Sequence, residues 1–431
     1  MRNPVVRLLG DTPLVRSLSW QSILSATGDG AFLTGSAVFF TQIVGLSAAQ
    51  VGLGLTIGGI ASFLLAVPLG KLSDRFGAKQ VWSVTCVLEC LVYASWFWAD
   101  SMAAFIAVTV ALESVQVAGR AARNAYRFEI FPREQRVRSN AYFRAARNVG
   151  YTLGALLAGI ALATGSNGVI RAVPIATAAI LILNAALIVR LPDLRDLDTL
   201  DHPRPSSVVE LVETQAHDGG AALKNRPYLA TAILDGVLAT HQVLLNVVIP
   251  LWLVEETDAP RVLLAWLFGT NTVMAVCLQV AAARGVVDVA DSLRAQRRGA
   301  FFFVASCAII LVTHDTVGWV TIALVWLGHV TVTGAELFNS AGDWGLQAEL
   351  ADPNRRGEYQ GVSQLGYTVG TVWAPAAYTF LAMHWGTAGW LTIAGIIVVA
   401  AVAIHPTAYA AERRLRRGVP ALAPDNLSEP A

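Results

Sequence analysis

The stretches that contain no Asp, Glu, Lys or Arg constrain this chain most. Ala31 to Gly70 is one such run, 40 residues long, and Tyr359 to Ala411 is another, 53 residues long. Shorter ones cover 148–170, 172–189, 236–254, 262–283 and 299–314. A helix needs about 20 apolar residues to cross a bilayer core, so each long run holds two crossings joined by an uncharged turn. Lipid cannot hydrogen-bond the backbone, which leaves only helices or closed barrels as spanning structures. Barrel strands alternate in character over about ten residues, whereas these runs are continuously apolar. The expected fold is an all-α integral membrane protein. Composition agrees: 14% of the 431 residues are charged, against about 25% in soluble domains. That deficit, with a net charge of +1, excludes a soluble enzyme, a disordered chain and a nucleic-acid binder. Cys86, Cys90, Cys277 and Cys307 all lie in apolar runs, without metal-ligand spacing. They read as small helix fillers, and no metal or cofactor is expected.

Twelve transmembrane helices are expected near 17–44, 51–73, 79–98, 102–125, 140–164, 169–190, 228–254, 261–283, 298–314, 317–340, 358–383 and 387–411. With these bounds, 29 of the 31 Lys and Arg residues fall on one side, Arg171 and Arg261 being the exceptions. The positive-inside rule makes that side cytoplasmic and puts both termini there, in a multi-pass protein of the plasma membrane. An incorrect helix count would invert the later loops and scramble this segregation. The basic start and first apolar run lack a small-residue cleavage site and read as a signal anchor.

The segment from Leu191 to Arg226 is the one sizeable polar interruption, with Pro192, Pro203, Pro205, Gly219 and Gly220. It divides the chain into a six-helix bundle over 1–190, a cytoplasmic linker over 191–227, a second six-helix bundle over 228–411 and a disordered cytoplasmic tail over 412–431. The linker carries a short amphipathic piece near Ser207–Thr214. The halves repeat faintly. GYTLG at Gly150–Gly154 returns as GYTVG at Gly366–Gly370, which sets Asn148 against Gln364 and Gly159 against Pro375. Asp29-Gly30 returns as Asp235-Gly236, and Asp100 as Asp315. Duplicated halves about an axis along the membrane normal are one repeat pattern of secondary transporters.

Between the second and third helices runs Gly70-Lys71-Leu72-Ser73-Asp74-Arg75-Phe76-Gly77-Ala78-Lys79. Asp74 is placed to accept from a helix N-terminus or an Arg, Gly77 permits a turn, and the bases suit a cytoplasmic interface. This stretch resembles the G-x-x-x-D-R-x-G-x-[RK] loop signature of the major facilitator superfamily, and the topology resembles that family over residues 10–411. The resemblance implies a pseudo-symmetric pair of six-helix bundles, a central cavity and rocker-switch alternating access. It assigns the cytoplasmic latch to Gly70, Asp74, Arg75, Gly77 and Lys79. The matching loop of the second half, Arg284-Gly285-Val286-Val287-Asp288 followed by Arg294, Arg297 and Arg298, is degraded, so a second latch is not expected. The fifth helix is glycine-spaced like the antiporter signature of drug exporters but lacks its Gly-Pro pair.

Ionisable groups within spans are costly and usually face the interior. Asp29, Asp235, Glu336 and Glu113 are the candidates for proton coupling. Glu89 ranks last, because the third helix does not line the family's cavity. Arg123 is the arginine expected to pair with an acid of the latch or the tenth helix, while Arg120, Arg127, Arg144 and Arg147 read as topology signals. Asn148, Gln364, Tyr151, Tyr367, His241 and Asn271 are candidates for the cavity wall, although interhelical hydrogen bonds account equally for the polar ones. His329 reads as a helix contact. Trp96, Trp98, Trp252, Trp319, Trp385 and Trp390 read as an interfacial belt.

The expected function is proton-coupled efflux of a small amphipathic molecule through an apolar cavity, by a monomer whose partners are its substrate, protons and lipid. The alternatives are a proton-coupled metabolite importer, or a polytopic receptor or assembly protein without transport. The sequence offers no nucleophile–base pair, paired catalytic carboxylates or phosphate-binding loop on which to argue an enzyme or an ATP-driven pump.

Overall fold

The computed structural model describes residues 9–193 and 220–416. The expected linker piece at Ser207–Thr214 and the tail beyond residue 416 lie outside these residues. Within them the chain is helical throughout and contains no strand. We label the helices α1 (Pro13–Val38), α2 (Ala48–Phe76), α3 (Ala78–Ser95), α4 (Met102–Ile130), α5 (Arg133–Ala163) and α6 (Asn167–Val189). The second set is α7 (Arg226–Glu255), α8 (Leu263–Ala282), α9 (Val289–Leu311) and α10 (Trp319–Leu350), followed by α11 and α12. α11 comprises Arg356–Thr371 and, after a turn, 374–385. Pro375 follows that turn, where its missing N–H breaks the helical ladder. α12 is 387–416, set off by Gly386 at φ 49° and ψ −123°. The described residues therefore form twelve apolar or amphipathic helices.

Most ends lie outside the expected bounds. α5 begins at Arg133, α9 at Val289, and α10 continues to Leu350. The last helix runs on through Glu412–Arg416, where a polar tail was expected. Hydropathy marks the part of a helix that lies in lipid, not where its backbone hydrogen bonds stop.

Three buried apolar clusters carry the core. One gathers side chains of α7 to α12, including Phe303, Tyr359, Tyr378 and Trp390. Another sits at one end of α1, α3, α4, α5 and α6 around Trp82, Tyr126 and Phe143. A third sits at the other end, where Phe32, Phe39, Phe40, Tyr93, Trp96 and Phe105 form a web of ring contacts. A smaller cluster of Val137, Ala141, Ala283, Val286, Ala295 and Ala341 joins α5 to α8, α9 and α10. Three tryptophans expected in an interfacial belt are core residues instead. Trp96 belongs to the aromatic web, and Trp252 packs edge-on against Trp390 while donating to Thr313 Oγ1 at 2.9 Å. Trp98, Trp319 and Trp385 are exposed.

The faint repeat has a physical meaning. α1 crosses α5 at glycines: a Cβ on Gly154 would stand 2.6 Å from the Ala31 amide nitrogen, and one on Gly30 2.8 Å from the Tyr151 carbonyl oxygen. α7 crosses α11 in the same way, since a Cβ on Gly370 would stand 2.5 Å from Gly236 Cα and one on Gly366 2.7 Å from Ala232 Cβ. Small residues let helix backbones meet where lipid supplies no hydrophobic drive between them. Each Asp-Gly pair thus packs against a Gly-Tyr-Thr-x-Gly partner. The repeat extends to a local irregularity, with π turns at Phe39–Ile43 after α1 and Leu244–Val248 within α7. Replacing Gly154 with Leu is expected to destabilise the protein by about 1–3 kcal/mol through overpacking. The same change at Gly159, whose Cβ would meet nothing within 4 Å, should leave the melting temperature in detergent unchanged.

Candidate functional site

The 70–79 loop brings the two sets of helices together. Asp74, at the end of α2, accepts hydrogen bonds from the backbone N–H groups of Gly357 at 2.6 Å and Glu358 at 2.8 Å. These are orphan donors of the first turn of α11, where the helix dipole also favours a carboxylate. Of the two partners expected for Asp74, it takes the helix N-terminus. Lys71 lies 3.5 Å from Glu358, and Gly70 stands with its backbone against that of Gly357. Gly77, at φ 92°, ends α2 and turns the chain into α3. Arg75 and Lys79 form no ion pair among the described residues, and Arg75 lies over the neighbouring Phe76 ring. A second contact joins the halves beside the first: Arg133 donates to Glu349 at 2.9 and 2.5 Å, and Arg136 lies 4.0 Å from the same carboxylate. The degraded loop of the second half contributes little to it, because Asp288 is used to cap α9 through the Asp291 N–H at 2.7 Å.

Beyond these contacts lies a cavity of about 530 Å³ between α4 and α5 on one side and α7, α10 and α11 on the other. Asn148, Tyr151, His241, Gln364 and Tyr367 line it, as the sequence suggested. Tyr151 accepts from Arg147 at 2.8 Å, and Tyr367 donates to Gln242 Oε1 at 2.8 Å. His241 uses Nδ1 on the Leu238 carbonyl at 3.1 Å, and its Nε2 has no hydrogen-bond partner among the described residues. The wall is not apolar: Arg120, Arg123, Arg127, Arg144 and Arg147 all reach it, with Asn and Gln side chains around them.

The acids of this region divide by partner. Glu336 is 8% exposed. It forms an ion pair with Arg144 of α5 across the two halves and accepts from Asn271 Nδ2 at 2.8 Å. Asp235 accepts from Gln296 Nε2 and stands beside Asp343, which accepts from Gln347 Nε2 at 2.5 Å. Both aspartates line the cavity. Two facing carboxylates repel, and a proton on either one turns the contact into a donor–acceptor pair. A neighbouring cavity of about 390 Å³ lies among α1, α2, α3, α4 and α6 and holds Asp29, Glu89 and Glu113. Asp29 Oδ1 has no hydrogen-bond partner among the described residues, Glu89 accepts from Gln116 at 2.8 Å, and Glu113 lies 3.8 Å from Arg120. Arg120, Arg123, Arg147 and Tyr151 stand on the boundary of both cavities.

Four assignments change. Arg123 pairs with neither the loop acid nor the acid of α10. It faces both cavities, and Arg144 takes Glu336 instead. Asn271 does not line the central cavity but holds Glu336 from α8. Glu89 shares a cavity with Asp29, so α3 does contribute to a wall. Asp343 was missed because α10 was expected to stop at residue 340. Its signal was available in the sequence as an acid seven residues after Glu336, about two helical turns on and so on a similar face, which requires only that the helix be carried past its apolar part.

A family model described as Major Facilitator Superfamily matches residues 18–341. The chain belongs to the major facilitator superfamily. Members of that superfamily are transporters, and this chain is a multi-pass membrane protein with their fold. A search of curated proteins returned no match. Among solved structures, it resembles the human organic anion transporter MFSD10 (TETRAN) at 13% identity and TM-score 0.62, over 94% of this chain and 100% of that one. It resembles the proton:xylose symporter XylE at 12% identity and TM-score 0.66, over 89% and 93%. A bacterial homologue of the iron transporter ferroportin, in an outward-facing state, is similar at 14% identity and TM-score 0.63, over 92% and 98%. At these identities the likeness concerns the fold alone.

Two outcomes follow from the site geometry. Asp74→Asn weakens the cap on α11 by about 1–2 kcal/mol, as charge-assisted hydrogen bonds become neutral ones. Spin labels at Lys79→Cys and Arg355→Cys should then show a larger long-distance population. Glu336→Gln strands Arg144 and should lower stability by about 3 kcal/mol, most of it recovered in the Glu336→Gln, Arg144→Gln double variant, as read by thermal melting.

Proposed function

We propose that this chain is a proton-coupled secondary transporter that works by alternating access in the plasma membrane, as a monomer with cytoplasmic termini. The 1–190 and 228–411 bundles rock about the central cavity, with 191–227 as the connection and Asp74 on α11 as the cytoplasmic latch. The observation that carries this reading is the Asp235–Asp343 carboxyl pair in the cavity wall. In one arrangement the pair retains a proton between two carboxyl groups. In another, parted or solvated, it releases that proton, so proton occupancy and conformation bias one another. Asp29 and Glu113 in the adjoining cavity, and Glu336 in its ion pair, are further groups whose protonation bears on the same motion. Gly70 and Gly77 give the latch its close approach and turn, and Arg75 and Lys79 remain available to a rearranged cytoplasmic face.

Efflux in exchange for entering protons is the first reading. Import of a polar metabolite with protons is the second, and the amide-rich cavity wall favours it over passage of an apolar drug. The glycine spacing of α5 does not choose between them, because its contact with α1 accounts for it.

The test uses inside-out membrane vesicles with an internal pH-sensitive dye and a broad solute panel. A substrate should produce proton movement that Asp235→Asn and Asp343→Asn each reduce at least tenfold. Right-side-out vesicles give the direction. No proton movement with any solute would leave the receptor or assembly reading in its place.

A further inference from the structure

We infer that the central cavity binds an organic anion, a molecule with a carboxylate, sulfonate or phosphate group that docks on Arg123 and Arg147 beside Arg127. This inference deepens the transport reading above and rests on it for its physiological meaning.

The argument begins with unmatched positive charge. Of the five arginines that reach the cavity, Arg144 is matched by Glu336 and Arg120 has Glu113 at 3.8 Å. Among the described residues, no carboxylate lies within ion-pair distance of Arg123, Arg127 or Arg147. Arg127 is 5% exposed, yet its guanidinium meets only neutral groups. It donates to Ser22 at 2.9 Å and Gln21 at 3.3 Å and lies 4.3 Å from the centre of the Phe143 ring. Arg147 donates to the Tyr151 hydroxyl, and Arg123 makes no hydrogen bond among the described residues.

The carboxylates whose fields reach these arginines lie in the adjoining cavity, Asp29 acting on Arg123 and Arg147 and Glu89 on Arg123. Two acids against three cations leave an excess of positive charge on this side of the cavity. Cations removed from water are costly unless an opposite charge answers them, and a cleft lined by one sign concentrates the other. Guanidinium groups present paired N–H donors that match two oxygens of one anionic group. The opposite wall offers the amides of Gln242 and Gln364 beside the Asp235–Asp343 pair. The ligand therefore carries its charge at one end and hydroxyl or amide groups at the other. A volume of about 530 Å³ falls in the range of small-molecule sites, about 300–1,000 Å³.

The test is binding to the detergent-purified full chain, with no membrane and no gradient. Three pairs of probes match frame and oppose charge: benzoate with benzylamine, naphthalene-2-sulfonate with 2-naphthylmethylamine, and carboxyfluorescein with rhodamine 123. At least one anion should bind ten times more tightly than its cationic twin, and its affinity should fall with added salt. Arg123→Gln and Arg147→Gln should each weaken it at least tenfold, and Arg123→Lys by less. Melting curves of the same variants show that they are folded. Binding that favours the cations, binding by none of the three anions, or anion binding untouched by both glutamine variants overturns the inference. A failure of proton coupling in vesicles does not alter this result, and a failure here leaves proton coupling standing.

Discussion

The structure is organised by the cost of taking charge out of water. Three answers recur among the charged groups that enter the space between the bundles. Glu336 has an opposite charge from the other half in Arg144, with Asn271 holding its second oxygen. Asp235 and Asp343 stand side by side and are each held by an amide, Gln296 and Gln347. Asp74 is answered by a helix end, with the first turn of α11 as its counter-charge. Arg123, Arg127 and Arg147 find none of these among the described residues, and the chemistry of the cavity follows from that difference.

The same partners tie the two halves together, so they bear on conformation as well as stability. Asp74 with α11, Arg133 with Glu349 and Arg144 with Glu336 all run from the first six helices to the last six. The Asp74 contact lies at the 70–79 loop, and Arg144–Glu336 lies about three helical turns along α5 from Arg133. A group that holds the halves together and also senses charge links a chemical event in the cavity to a movement of helices. That link requires only that the bonded and parted arrangements differ in their affinity for a proton or a ligand.

Much of the architecture was legible because membrane folding obeys few rules. Charge-free runs located the helices, and the segregation of Arg and Lys tested their number. Spaced small residues marked the two crossings at Gly150–Gly154 and Gly366–Gly370, although their partners on α1 and α7 needed the fold. The site was legible in part. Asp235, Glu336, Tyr151 and Gln364 were singled out by being polar within apolar runs. Asp343 escaped because it sits on the extension of α10 beyond lipid, where a charge is unremarkable in a one-dimensional pattern. Arg127 and Arg147 escaped for a related reason, since arginines at a helix end first read as topology signals.

By itself, the sequence determined the class of structure, the order of its spans and the position of the loop acid. These follow from local properties: the free energy of each residue in lipid and the need of each helix to satisfy its own backbone. The tertiary structure alone decided which charges meet. Asp235 and Asp343 are 108 residues apart and Arg144 and Glu336 are 192 apart, and pairing over such distances is set by how helices cross. Whether an arginine is matched or left to attract a ligand depends on what stands opposite it across the cavity, and that is a property of the packed bundle.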